Sequence, residues 1–218
     1  MTEADLLDAW PMASGAPLPR LQRFFRAMTA GEPDQESLGA FNRRLARLHV
    51  QMVGRGVDAR VICACGQELE VALPIQAIAD TPDPAAHVVI GATGRAFRLP
   101  HLSEIALAGD PAALARRCAL DGGDAPDPDG LAALDQAWAA ADPAAEIALD
   151  LSCPACGAAM LAHADLGLFV ARDLDLKVRA LLVEVHGLAR AYGWTEAEVL
   201  AVPPARRSIY AALIGAGT

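Results

Sequence analysis

Apolar side chains near the start of the chain recur at steps of three and four. In an α-helix this spacing places them on one buried stripe, with the intervening arginines in water. We therefore predict a helix over residues 38–52, preceded by two shorter helices that are separated by Trp10-Pro11 and the stretch 15–19. Together they form a predicted N-terminal helical segment, residues 1–56. The stripe consists of Leu38, Phe41, Leu45, Leu48 and Met52.

The period of the pattern changes to two after residue 56, which is typical of β-strands. Three pairs of short alternating runs flank tight turns, at Cys65-Gly66, at residues 91–94 and at residues 153–157. Each pair predicts an antiparallel hairpin whose turn glycines permit the reversal. These hairpins make up a predicted β region over residues 57–166.

A helical insertion interrupts the β region at about residues 101–142. Asp110 precedes Pro111, an arrangement that favours a helix start because the carboxylate caps free N–H groups and proline needs no donor there. A second helix over residues 131–141 is predicted to end at Asp142-Pro143. An acidic, turn-rich loop at residues 121–130 joins the two helices.

Residues 167–218 predict a C-terminal helical hairpin. A long amphipathic helix is expected from Leu168 to Tyr192, with Gly193 as its left-handed stop. Thr195 and Glu198 then form a predicted capping box for the next helix. The fold class is therefore α+β: zinc-ribbon-like hairpins bearing CxC and CxxC knuckles, flanked by N-terminal helices and this C-terminal hairpin. The stripe of the long helix comprises Leu174, Val178, Leu181, Val185, Leu188 and Tyr192.

The composition and charge of the chain argue against disorder, nucleic-acid binding and membrane insertion. With 54% hydrophobic and 21% charged residues, the chain of 218 residues has enough apolar material to fold. A net charge of −9 opposes binding to a phosphate backbone. No run is long and apolar enough to span a membrane, and residues 1–5 lack the cationic start of a secretory signal. We therefore expect a cytoplasmic protein that binds neither nucleic acid nor membrane.

Four of the five cysteines form two close pairs, which in a reducing compartment suggest metal ligands. Zinc prefers four tetrahedral sulfur or nitrogen ligands, so Cys63, Cys65, Cys153 and Cys156 predict one structural zinc site. The first pair is one residue closer than the usual CxxC knuckle, with Ile62 where that spacing would put a cysteine. The alternative is a degenerate site whose cysteines remain as buried packing residues. His163 is a candidate substitute ligand for Cys63.

The sequence contains only weak signals of redox or catalytic chemistry. A thioredoxin-like redox couple at Cys153 and Cys156 would need a helix N-terminus behind it, and the motif lies between strand-like runs. Cys118 is predicted to be a core residue. The histidines stand in no catalytic pattern, and His186 is predicted to lie near the buried stripe as a core histidine. Because no nucleophile, paired-carboxylate or phosphate-binding pattern occurs, we predict that the protein is not an enzyme.

Several segments in the same order resemble the baseplate hub assembly chaperones, also called baseplate proteins, of contractile-tailed phages of the T-even type. The similar segments are residues 6–10 (LLDAW), 65–70 (CGQELE), 98–100 (RLP), 152–157 (SCPACG) and 184–200 (EVHGLARAYGWTEAEVL), followed by Arg206, Arg207 and Tyr210. The likeness spans most of the chain, and the C-terminal stretch is its most specific part.

The resemblance implies a non-enzymatic role in the host cytoplasm or in the virion. The protein would be an assembly chaperone or minor component of the baseplate or hub of a phage tail, a prophage or a related injection system. Its implied partner is a hub or spike protein of a contractile tail. The alternative function is a zinc-ribbon adaptor or regulator associated with nucleic-acid machinery.

Overall fold

The computed structural model describes residues 1–12, 15–28, 35–54, 56–91 and 94–216. It has the predicted α+β architecture of helices and small antiparallel hairpins. The helices are α1 (Glu3–Ala9), α2 (Pro17–Met28), α3 (Leu38–Met52), α4 (Ile75–Asp80), α5 (Leu102–Leu107), α6 (Pro111–Cys118), α7 (Pro128–Ala141), α8 (Leu166–Tyr192), α9 (Glu196–Ala201) and α10 (Pro204–Ala216). The strands are β1 (Val57–Ile62), β2 (Glu68–Leu73), β3 (His87–Ile90), β4 (Arg95–Arg98), β5 (Ala148–Ser152) and β6 (Ala159–His163).

Packing divides the chain into two compact units. A helical unit comprises Met1–Ala30 and Ala171–Thr218, and a mixed unit comprises Gly31–Val170. The unit boundaries differ from the segment boundaries predicted along the chain at residues 56 and 166. Of the predicted turns, Ala92 and Thr93 lie outside the described residues, as do residues 217 and 218 of the predicted C-terminal segment.

Two groups of ion pairs hold the helical unit together. Arg20 of α2 donates to Asp175 of α8, which also accepts from the Trp10 indole Nε1 at 2.9 Å. Arg207 of α10 binds Glu3 of α1, and its Nε lies 3.1 Å from a Glu184 carboxylate oxygen. Each arginine is almost fully buried, so these pairs join helices that are distant in sequence.

The C-terminal end of the helical unit follows the predicted signals. Gly193 has φ +70°, the left-handed conformation that ends α8, and the Thr195 hydroxyl and Glu198 carboxylate form the capping box of α9. A small apolar core forms where α8, α9 and α10 meet. It contains Val185, Leu188 and Val199, with Trp194, Leu200, Tyr210 and Ile214 packed against them.

Among its described residues, the mixed unit contains three two-stranded antiparallel sheets, β1–β2, β3–β4 and β5–β6. The middle sheet packs on α6 and α7 through a core of Val88, Phe97, Ala115 and Leu134. Asp110 accepts from the Ala113 N–H at 2.7 Å, which confirms the predicted cap of α6. The short helix α4 was not predicted, because six residues are too few to show a helical period.

A buried carboxylate fixes the segments that lead into the first and third hairpins. Asp142, which follows α7, accepts from Ser37 Oγ at 2.6 Å and from the Gly39 N–H at 3.0 Å. It also accepts from Arg43 Nη1 at 3.1 Å. Because α3 continues into β1 and residue 142 precedes β5, this Asp142 cluster holds together the approaches to both cysteine-bearing hairpins.

In the part of the chain that the structure describes, no helix combines sufficient length with sufficient apolar character to span a membrane.

Candidate metal centre

The first cysteine pair lies in the loop between β1 and β2, residues 63–67. The Cys63 N–H donates to Gln67 O at 2.9 Å and continues the strand pairing, while the Gly66 N–H donates back to Cys63 O at 2.8 Å. Gly66 has φ +89°, a conformation that strains any residue with a side chain. The glycine therefore closes the loop directly after the second cysteine.

The second pair lies in the loop between β5 and β6, residues 153–158. Its hydrogen bonds repeat those of the first loop. The Cys153 N–H donates to Ala158 O at 2.9 Å, and the Gly157 N–H donates to Cys153 O at 2.8 Å. Gly157 has φ +74° and again follows the second cysteine.

Loop length explains the short spacing of the first pair. The loop that carries CxC has one residue fewer than the loop that carries CxxC. In both loops the first cysteine directly follows the strand and the second directly precedes the left-handed glycine. The missing residue therefore shortens the loop without moving either cysteine out of its structural role.

The two loops bring their four sulfurs together. All four Sγ atoms lie within 4.8 Å of one another. The sulfurs of Cys63 and Cys156 are 3.7 Å apart, as are those of Cys65 and Cys153. Four sulfurs about 2.3 Å from a central zinc ion would be about 3.8 Å apart in a regular tetrahedron. The cluster has the dimensions of a metal site, and its cysteines can hold a metal ion.

Burial alternates within each pair. Cys63 and Cys153 are buried, whereas Cys65 and Cys156 are exposed. Each of the two close sulfur contacts joins the buried cysteine of one loop to the exposed cysteine of the other. One side of the cluster is therefore packed against the mixed unit, while the other faces solvent.

Backbone donors favour a thiolate at Cys153. The N–H groups of Cys156 and Ala155 hydrogen-bond to its sulfur and, with the neighbouring thiols, lower its pKa to about 6. Such N–H groups also stabilise sulfur that is bound to a metal.

At Cys156 and Cys63 the same crowding acts in the opposite direction and raises the pKa. At Cys156 the Ala158 N–H favours the thiolate, but the surrounding sulfurs of Cys153, Cys65 and Cys63 raise the pKa to about 12. The pKa of Cys63 is also raised, although the Cys65 N–H favours its thiolate. The thiolate form is therefore favoured at Cys153 over Cys156 and Cys63. A divalent cation would offset the repulsion among four thiolates.

The other positions considered for a metal ligand, His163 and residue 62, are not directed at the sulfur cluster. His163 pairs with Ala148 at the end of the third hairpin farthest from the knuckle, and its Nδ1 lies 2.9 Å from a Glu146 carboxylate oxygen. It is not placed to replace Cys63. Ile62, at the position that a CxxC spacing would assign to a ligand, is paired in β1 with its side chain exposed.

Cys118 and His186 have separate environments. Cys118 is buried at the end of α6, where desolvation raises the pKa of its thiol to about 11, so it is a core residue as predicted. The prediction for His186 is wrong. Its side chain is exposed, because position 186 lies on the outward side of α8, about 80° around the helix axis from the nearest stripe residue, Val178.

Sequence patterns missed the Asp142 cluster, which positions the approaches to the two knuckles. The visible signal at Asp142-Pro143 was a helix end, and this signal is correct, since α7 ends at Ala141. The carboxylate's partners lie about one hundred residues earlier in the chain. A pattern limited to neighbouring residues cannot reveal them.

We compared the chain with protein-family models, with curated proteins and with solved structures. None of these comparisons finds a match.

Proposed function

We propose that Cys63, Cys65, Cys153 and Cys156 bind one structural zinc ion that joins the first and third hairpins. The observation that carries this proposal is the agreement between the 3.7 Å sulfur distances and the edge of a zinc-sulfur tetrahedron. Four protein sulfurs complete the coordination of zinc and leave no open position for a substrate or water. The ion would therefore stabilise the fold rather than take part in a reaction.

Metal analysis of protein purified without chelator tests this proposal. We expect about one zinc ion per chain, and a Cys156→Ser variant should lose the ion and melt at a lower temperature. Cys118→Ala is the matched control: it removes a cysteine thiol outside the cluster and should keep zinc even if it lowers stability. Retention of full zinc and unchanged melting in Cys156→Ser would refute the site.

We further propose that the protein is a non-enzymatic assembly chaperone, or a minor component, of the hub or baseplate of a contractile tail. The tail would belong to a phage, a prophage or a related injection system, and the protein would act in the host cytoplasm or remain in the assembled particle. Support comes from the resembling segments, which include Cys65 of the first knuckle, the whole second knuckle and the end of α8 with α9. A closed metal site agrees with a role that requires binding rather than catalysis.

Co-expression with tail proteins tests the assembly role. A hub or spike protein should co-purify with this chain, whereas a sheath protein from the same tail, used as the control, should not. Failure of both hub and spike proteins to bind a correctly folded, zinc-loaded chain would overturn the proposal. Salt-sensitive binding to DNA, RNA or a polymerase would instead favour the adaptor function.

A further inference from the structure

The side of α8 opposite its buried stripe carries a second apolar row, which we call the outer row. It consists of Leu176, Ala180, Val183 and Gly187, at steps of four, three and four. Leu176 is 53% exposed and Val183 is 72% exposed. A stripe with this spacing is what one helix presents to another, and within the helical unit the row faces solvent.

Basic side chains run along one edge of this row. Arg179, His186 and Arg190 are exposed and lie on the same side of the row, a short rotation around the helix axis. We call these three residues the basic edge. A cationic strip is unusual on a chain whose net charge is −9.

The carboxylates of α8 interact with cations of their own unit. One of them, Asp175, lies one turn before Arg179, and its pKa is lowered first by the hydrogen bond from Arg20 and also by the charge of Arg179. Asp175 accepts from Arg20 and from the Trp10 indole. Glu184 lies 3.1 Å from Arg207 Nε, and Asp173 is buried. The negative charges of α8 are therefore balanced within the helical unit, whereas the three residues of the basic edge are exposed beside the apolar row.

Gly187 leaves room beside the row. A Cβ atom added at this position would meet no heavy atom within 4 Å. Glycine in the middle of a helix lowers helix stability relative to alanine, and the chain's own packing does not require it here. A missing side chain on an exposed helix face permits close approach by another helix.

We propose that the outer row and the basic edge dock an acidic amphipathic helix of a partner protein. Apolar side chains of that helix would cover Leu176 and Val183, and its carboxylates would reach Arg179 and Arg190. Charge complementarity selects this occupant. A second copy laid antiparallel on the row would bring two basic edges together, and like charges oppose association. Nucleic acid would leave the apolar row against a phosphate surface.

This inference concerns the chemistry of the partner and does not rest on the contractile-tail proposal. Acidic helices occur in many proteins, so binding of a designed peptide and binding of a hub protein are separate measurements. Success with the peptide and failure with tail proteins would remove only the assembly role.

The probe is a fluorescent 21-residue helical peptide with leucine at its a and d positions and glutamate at its e and g positions. We expect saturable binding to the full-length protein that weakens as salt is added. Two peptides serve as controls: one replaces glutamate by lysine, and the other replaces leucine by alanine. Both should bind at least about tenfold more weakly.

Protein variants locate the site. Val183→Asn and Arg179→Glu should each weaken peptide binding about tenfold or more, as loss of an anchor residue does. The matched controls, Leu107→Asn and Arg116→Glu, change exposed residues of the same kinds in the mixed unit and should leave binding unchanged. Equal binding of the lysine peptide, or equal loss in the control variants, would overturn the proposal.

Gly187 supplies a variant that separates folding from docking. Because the added side chain meets open space, Gly187→Leu should keep the wild-type melting temperature or raise it. The same variant should bind the peptide about tenfold more weakly. Undiminished peptide binding by folded Gly187→Leu would contradict the proposal. So would absence of peptide binding to the wild-type protein, or variant-sensitive binding to duplex DNA, to anionic vesicles or to a second copy in place of the peptide.

Discussion

The direction of one side chain decides whether residue 62 or residue 63 can hold a metal. Ile62 is the last paired residue of β1 and is 73% exposed, whereas Cys63 is 4% exposed and faces the cluster. Successive side chains of a strand point to opposite faces. A cysteine at residue 62 would restore the usual CxxC spacing but would point its sulfur away from the other ligands.

The double variant Ile62→Cys, Cys63→Ala tests this conclusion. We expect it to lose most of its zinc although it carries two CxxC motifs, because its new sulfur lies on the wrong face of the strand. Elemental analysis measures the zinc content, and the single variant Cys63→Ala is the matched control. Full zinc in the double variant together with loss in the single variant would show that spacing, not direction, sets the ligand.

The Asp142 cluster also depends on the absence of one side chain. A Cβ added at Gly39 would overlap the Asp142 carboxylate, which is buried against Arg43. We expect Gly39→Ala to lower the free energy of unfolding by about 2–4 kcal/mol, through overpacking and disruption of a buried ion pair.

Chemical denaturation measures the effect of Gly39→Ala, and Gly109→Ala is its control. A Cβ at Gly109 would meet nothing within 4 Å, so the control should change the unfolding free energy by less than about 1 kcal/mol. Equal stability of the two variants would mean that the overlap relaxes without disturbing Asp142.

At the scale of single elements, Glu104 joins α5 to its neighbours. Arg98 at the end of β4 donates to both carboxylate oxygens of Glu104, and the His101 N–H donates to one of them at 3.0 Å. The Arg98 guanidinium, helped by that N–H, lowers the pKa of Glu104 from 4.5 to about 2 despite partial burial. The ion pair of Arg98 with Glu104 therefore links β4 to α5, and it is weakened when acid protonates the carboxylate.

The sign of the pH effect follows from the lowered pKa. Glu104 contributes stability above pH 4.5, and this contribution falls as the pH drops from about 4.5 to about 2. Glu104→Gln should therefore be less stable than wild type at pH 7, by about 1–3 kcal/mol, and the difference should shrink towards pH 2. Urea titrations at several pH values measure it.

Glu70→Gln is the control for this pH experiment. Its carboxylate is largely exposed and lies 3.7 Å from Arg60, a surface pair that contributes little. Its stability should follow that of wild type at every pH. If the unfolding free energies of Glu104→Gln and wild type differed by the same amount from pH 7 to pH 2, the role assigned to the Arg98–Glu104 ion pair would be contradicted.

Element type was predictable where a local physical rule acts strongly. The capping box at Thr195, the proline start of α6 and the hairpin turns follow from backbone chemistry within a few residues. The outward direction of His186 was missed because it follows Val185 of the buried stripe in sequence, whereas one residue along an α-helix is a rotation of about 100°.

At the scale of the whole molecule, long-range packing was not visible in the sequence. The four clustered cysteines could be selected because their pairs are local and chemically distinctive. The helical unit could not be predicted from the sequence, because it combines the two ends of the chain through contacts such as Arg207 with Glu3. An arginine and a glutamate about two hundred residues apart carry no local pattern that marks them as partners.

Removal of the metal should affect the two units differently. The proposed zinc ion has all its ligands in the mixed unit, whereas the core of α8, α9 and α10 is formed by apolar side chains. We expect chelation to increase amide hydrogen exchange most strongly in β1–β2 and β5–β6, because each two-stranded hairpin is marginal alone. Exchange in residues 185–200 should change little.

Hydrogen-exchange mass spectrometry measures both regions, and added zinc, but not magnesium, should restore protection in the hairpins. A uniform rise across both units would show that the metal supports the whole chain, and no change in the hairpins would show that they do not depend on it.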